Sequence, residues 1–268
     1  MINTGELLAL VRQRQPLVHH ITNAVTISEC ANITLAAGGL PVMANAVEEV
    51  EEMVEQAQAL VLNIGTLTRE QVEAMLVAGK RANALQIPIV LDPVGVGATK
   101  MRLDVAKRLL AELKINVIKG NAAEIAILAG GKAKMLGVEA VEVADHVDLL
   151  ALDLARKSKA TVVVTGKVDL VTDGEQLWAI HNGHVLMSRI VGTGCMTASV
   201  MGCFAAVCDD YQKAAAAAAV ALNVAAELAA ECKKTPVAFR QELFDRLHAL
   251  TPETMTRRQK LKIKEVQG

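Results

Sequence analysis

Two rhythms of apolar and polar positions alternate along most of the chain. Short apolar runs rich in β-branched residues, Leu17–Ile21, Ala59–Ile64, Ile87–Leu91, Ile115–Ile118 and Thr161–Val164, have the pattern of buried strands. Between them, helical spacing predicts helices over about Ile27–Ala37, Glu48–Ala57, Arg102–Leu113, Ala122–Leu128 and Asp145–Lys157, and another beginning near Thr68. At that start, Thr68 with Gln71 three positions on has the form of a capping box. Strands separated by helices of this length favour parallel pairing with right-handed crossovers. The pattern therefore predicts a three-layer α/β/α fold around a mostly parallel central sheet. After Gly166 the rhythm changes: Asp169–Thr172 and Leu177–Ile180, joined through Asp173-Gly174, read as a hairpin. The rest reads as largely helical to about residue 258. The basic residues beyond (Arg257, Arg258, Lys260, Lys262, Lys264) read as a solvated end. No linker or repeat divides the chain, so residues 1–268 read as a single domain.

Composition sharpens this picture in three ways. Hydrophobic residues make up 52% and charged residues 21%, which suits a compact soluble protein. Aromatics are only 2%, so the core must be built from Ala, Val, Leu, Ile and Met, whose small side chains let backbones approach closely. A formal net charge of −1 and a lack of aromatic platforms give no basis for binding nucleic acid. The N-terminal MINTGELLALVRQRQP lacks the features of a signal peptide. The alanine-rich stretch Ala214–Ala226 is too short and weakly apolar for a membrane span and reads as a buried helix. Five cysteines, with no CxxC pair, point to a reducing, cytoplasmic location rather than a disulfide framework.

Candidate chemistry gathers where strands end. In an open parallel sheet, ligands lie beyond the carboxyl ends of the strands. Those ends here carry Asn63-Ile64-Gly65-Thr66, Asp92-Pro93-Val94-Gly95-Val96-Gly97, Lys119-Gly120-Asn121-Ala122-Ala123-Glu124 and Thr165-Gly166. One such group alone is ordinary turn punctuation; four on successive strands point to a site. Gly192-Thr193-Gly194-Cys195 precedes a small-residue helix. It is either an anion cradle of backbone amides at a helix N-terminus or a tight turn into a closely packed helix. Neither a Rossmann fingerprint nor a Walker A motif is present. His19, His20 and His181 have no ligand spacing and read as structural.

The ordered set DPVGVGA at Asp92–Ala98, KGNAAE at Lys119–Glu124, VTG at Val164–Gly166 and VGTGC at Val191–Cys195 resembles the hydroxyethylthiazole kinases. The early HITN at His20–Asn23 and LPVM at Leu40–Met43 match as well, so the resemblance covers nearly the whole chain. It implies a ribokinase-like fold and a homotrimer with active sites at subunit interfaces. It also implies ATP- and Mg2+-dependent phosphorylation of 4-methyl-5-(2-hydroxyethyl)thiazole, a salvage step of thiamine biosynthesis. By matched position, Asn23, Met43 and the backbone at Gly192 would contact the thiazole, and Lys119 and Thr165 would contact ATP. Thr193 and Gly194 would face the phosphates, and Glu124 and Asp92 would lie near magnesium. The family often has Arg where this chain has Lys119, which keeps the charge but loses the planar fork.

Cys195 occupies the slot where related sugar kinases carry an aspartate that takes the proton of the attacking hydroxyl. A helix N-terminus tends to lower a thiol pKa, so Cys195 is expected to orient the hydroxyl and assist its deprotonation weakly. Metal ligation by it is not expected, because Cys203 and Cys208 read as small buried residues on the same following helix. Three competing functions share part of this pattern. A nicotinamide-hydrate type dehydratase of the same scaffold would carry an acidic residue in the Cys195 slot. A non-catalytic nucleotide-binding regulator would not need Glu124, Asp92 and the glycine cradle. A hydroxymethylpyrimidine kinase is disfavoured by Asn23 and Met43.

Overall fold

A computed structural model describes residues 3–131, 133–136, 139–143 and 146–264. In chain order the elements are α1 (Gly5–Arg14), β1 (Leu17–Ile21), α2 (Ile27–Ala37), β2 (Leu40–Val42), α3 (Val50–Gln56), β3 (Ala59–Asn63), α4 (Arg69–Ala84) and β4 (Ile89–Asp92). There follow α5 (Lys100–Glu112), β5 (Val117–Asn121), α6 (Ala122–Leu128), β6 (Ala133–Leu136), β7 (Glu139–Val143), α7 (Val147–Ser158), β8 (Thr161–Thr165), β9 (Asp169–Thr172) and β10 (Leu177–Ile180). A 3₁₀ turn, Val185–Arg189, leads to α8 (Thr193–Ala205), α9 (Tyr211–Cys232), α10 (Pro236–Ala249), α11 (Pro252–Arg258) and β11 (Leu261–Lys264).

The main sheet runs β2-β1-β3-β4-β5-β8-β9-β10-β11, and β6 and β7 form a separate antiparallel pair. From β2 to β8 every pairing is parallel; β9, β10 and β11 continue the sheet antiparallel. The expected layering and the Asp169–Ile180 hairpin are both present. Helix α4 begins at the Thr68–Gln71 capping box read from the sequence.

Alternation along each strand sorts its side chains between two cores. Val18, Ala59, Val61, Val90, Val117, Val163 and Val171 pack with α1, α2, α8, α9 and α10. Ile21, Leu60, Leu62, Ile89, Leu91, Ile118, Val162 and Val164 pack with α3 to α7. The α8 layer lies very close to the sheet. A Cβ at Gly202 would stand 2.7 Å from Val61 Cγ2 and 2.9 Å from Val18 Cγ1.

Three expectations need correction. The basic end is no free tail: Leu261–Lys264 pairs antiparallel with β10, and Lys260 and Lys264 form ion pairs with Glu227 and Asp148. Its backbone completes the sheet edge, while the Arg257, Lys260, Lys262 and Lys264 side chains stay exposed to solvent as expected. The alanine-rich helix is longer than its alanine run: α9 has 22 residues, enough by length and apolarity to cross a membrane. Most of it is nevertheless buried within the fold, with Ala214–Ala226 enclosed throughout. Cys203 is buried in α8, but Cys208 lies half-buried in the turn beyond it.

Candidate active site

The same alternation places chemistry on one face. Asn63 follows Ala59 and Val61, Asp92 follows Val90, Lys119 follows Val117, and Thr165 follows Val163 at two-residue steps. All four therefore lie on the α8 side, at or beside the carboxyl ends of adjacent strands. Register sets Asn63 directly opposite Asp92 and Asn121 opposite Thr165. Helix α8 starts over this row. Gly192 caps it with φ +92, a left-handed conformation that glycine adopts without strain. The first amides of α8, at Thr193, Gly194 and Cys195, have no intrahelical acceptor.

Lys119 Nζ lies 3.1 Å from Asp92 Oδ1, with both side chains buried. It also lies 3.0 Å from where a Gly194 Cβ would be, so the ammonium sits close against the turn. Burial works to lower the Lys119 pKa, but Asp92, Glu124 and Cys195 outweigh it and hold the ammonium above its ordinary value. Glu124 accepts from the Gly95 amide at 2.8 Å and the Asn121 amide at 2.8 Å, stapling the β4 loop to the end of β5. Asn121 and Glu124 thus form a capping box for α6 as well as supplying a carboxylate. Burial, then Asp92, push the Glu124 carboxyl up against Lys119 and these amides. Arg102, which sequence reasoning missed, donates to Val94 O at 2.7 Å and to Gly65 O, tying the loops after β3 and β4 together.

Cys195 is buried at the N-terminus of α8, where its sulfur accepts from Asn23 Nδ2 and Asn63 Nδ2, each at 3.3 Å. The expected fall in its pKa is not found. Burial, then the negative charge of Asp92, push the thiol up, and these outweigh Lys119 and the local hydrogen bonds. The group is a neutral thiol at neutral pH, because the helix end cannot repay the desolvation of a thiolate.

The remaining predicted residues surround this centre. Asn23 Oδ1 accepts from the Val25 amide, the Thr26 amide and Thr26 Oγ1 at 3.1, 3.0 and 3.1 Å, and its Nδ2 also donates to Asn63 Oδ1 at 3.0 Å. Its amide has no remaining proton to offer a ligand. The loop it shapes abuts the turn, since a Cβ at Gly192 would stand 2.7 Å from Thr26 Cγ2. Met43 is half-buried just past β2, on the sheet edge beside β1. The next residue is anchored by buried His19, whose Nε2–H donates to Ala44 O at 2.7 Å. His20 is buried too, and burial pushes it down to about 4. His181 is exposed. Thr165 Oγ1 donates to Gly120 O at 3.3 Å, and Thr193 Oγ1 to Met187 O at 3.1 Å.

The turn after Thr165 has a buried support. Asp169 Oδ1 accepts from the Gly166 amide at 2.9 Å, and Asp169 Oδ2 from Asn223 Nδ2 at 2.7 Å, across to α9. Burial pushes the Asp169 carboxyl up to about 6 despite these bonds and Lys119. Its unfolded value is about 3.9. The native state therefore binds the proton more tightly, and this contribution to stability declines as pH rises from about 4 to about 6. Replacing Asp169 by Asn should flatten the pH dependence by on the order of 2–3 kcal/mol across that window. Urea melts of both proteins between pH 4 and 7.5 check this; parallel curves would dismiss it.

Against known proteins, the model of the Hydroxyethylthiazole kinase family matches residues 8–253. The hydroxyethylthiazole kinase of Thermoanaerobacter pseudethanolicus is 53% identical, over 96% of this chain and 98% of that protein. A solved structure of the hydroxyethylthiazole kinase protein from Pyrococcus horikoshii OT3 superposes with a TM-score of 0.91 at 42% identity, covering 99% of this chain and 100% of that one. A ribokinase-like superfamily protein of Enterococcus faecalis, 15% identical, shares the fold alone, with a TM-score of 0.63 over 88% of this chain and 87% of that one. The architecture is ribokinase-like, and the chain belongs to the hydroxyethylthiazole kinase family.

Proposed function

We propose that this kinase transfers the terminal phosphoryl group of ATP to the hydroxyl of 4-methyl-5-(2-hydroxyethyl)thiazole, a salvage step of thiamine biosynthesis carried out in the cytoplasm. The observation that carries the reading is the meeting of Cys195, at the amide-rich start of α8, with Asn63, Asp92 and Lys119 at the strand ends. The Gly192–Cys195 turn offers backbone amides and a helix dipole to the phosphoryl group in transfer. Lys119 and Thr165 face the nucleotide. Met43 and the backbone at Gly192 line the thiazole, Met43 as a polarisable wall. Asn23, its amide fully engaged, serves the acceptor through the loop it shapes. Cys195 orients the alcohol as a neutral group, which suffices where the transition state is loose and the nucleophile has formed little bond.

Asp92 and Glu124 present only carboxylate oxygens, each with lone-pair capacity beyond the bonds described, and this donor chemistry fits Mg2+. Among the described residues no cluster of three or more His, Cys, Asp or Glu could hold a metal by itself, so phosphate and water oxygens would complete the shell. When bound, the ion neutralises triphosphate charge.

Self-association as a homotrimer belongs to this reading. It is supported by exposed apolar side chains near the turn: Val25 at 64%, Val191 at 71% and Val237 at 66% exposure. A monomer mass by light scattering would remove it. The activity itself is tested by ADP release with magnesium-ATP and hydroxyethylthiazole, hydroxymethylpyrimidine, ribose or no acceptor. Turnover should require the thiazole; turnover without acceptor, or only with the pyrimidine or sugar, overturns the reading.

A further inference from the structure

We propose that Asn63 is a positioning residue that acts on phosphoryl transfer through the thiol of Cys195. Asn63 is buried, with 2% of its surface exposed, and the orientation of its amide is unambiguous. The Gly65 amide can only donate, and it reaches Asn63 Oδ1 at 3.0 Å; the Asp92 carboxylate accepts from Asn63 Nδ2 at 2.8 Å. The carbonyl end therefore also takes the Asn23 Nδ2 proton, and the second Asn63 proton is directed at Cys195 Sγ. All the usual capacity of the amide is engaged: two bonds accepted and two donated.

This bonding has a consequence for the thiol. The sulfur meets two N–H donors, one from Asn63 and one from Asn23, so its lone pairs are held towards the amides. The S–H rotor is then restricted to the remaining directions around the sulfur. Asn63 and Asn23 also fix each other, and Asn63 ties the whole set to Asp92, which is itself held by Lys119. One buried amide thus joins the acceptor-facing loop of Asn23 to the phosphate-facing pair of Asp92 and Lys119. A residue needed only to close the end of β3 would have to accept the Gly65 amide and nothing more. A serine hydroxyl can do that, but it is too short to reach the sulfur and Asp92 together.

This inference rests on the kinase reading, and a double-mutant cycle separates the two. Asn63→Leu, Cys195→Ala and the double variant are assayed for kcat and KM with magnesium-ATP and hydroxyethylthiazole, or with whichever acceptor wild type turns over best. Thermal melts confirm folding, and Asn63→Ser replaces the leucine variant if that one does not fold. Asn63→Leu should lower kcat about tenfold with the acceptor KM within about threefold of wild type, and should cost less than about twofold further once Cys195 is alanine. Equal losses in both backgrounds, or a wild-type kcat in the folded Asn63 variant, overturn the assignment. Wild-type silence towards the thiazole overturns the substrate reading instead.

Discussion

Replacing Cys195 by alanine is expected to lower kcat about 10²-fold while leaving the acceptor KM within a few-fold. The figure lies at the low end of what proton-transfer groups contribute, because the buried thiol is neutral and no thiolate base is removed. On the proposed reading the variant loses the sulfur that would line up the alcohol beside the Asn23 and Asn63 amides. It keeps Gly192, Thr193 and Gly194, and with them the helix N-terminus proposed to meet transition-state charge. An aspartate at 195 would place an acceptor in the same donor cradle and should retain more activity than alanine. Steady-state kinetics of the two variants decide: an alanine enzyme with wild-type kcat would leave Cys195 a packing residue.

The largest stability effect is expected at Lys119. Methionine there preserves length and apolar bulk but leaves the Asp92 carboxylate buried without its cation, and Glu124 nearby without its main stabilising charge. Removing one partner of a buried pair costs about 3–5 kcal/mol, because the other charge stays desolvated. The variant should melt at markedly lower temperature, and its KM for ATP should rise. Differential scanning calorimetry with ATP titrations measures both. A melting temperature within a degree of wild type would show that the Lys119–Asp92 pair contributes little net stability.

Much of this was legible in the sequence, for identifiable reasons. Helices such as Ile27–Ala37 and Ala122–Leu128 stand out because their spacing and caps are local, and DPVGVGA and KGNAAE mark strand ends because glycine and polar residues interrupt apolar runs. Asn63 was harder to single out. It ends a strand buried on both faces, where the run Ala59–Leu62 is apolar without alternation and gives no sign of which face each residue takes. The strand pairing that sets it opposite Asp92 is what places it on their face. The pKa of Cys195 was misjudged because a helix end is visible in sequence and desolvation is not. β11 was missed because pairing with a partner over eighty residues away leaves no local trace.

The thiol, the amides around it and the carboxylate–ammonium pair are drawn from residues 23, 63, 92, 119 and 195, all far apart along the chain. Closing so many distant loops is slow, and local helices can form long before it is complete. During refolding, catalytic competence should therefore return after the circular-dichroism signal of the helices. Enzyme turnover then serves as a stringent clock for the last stage of folding.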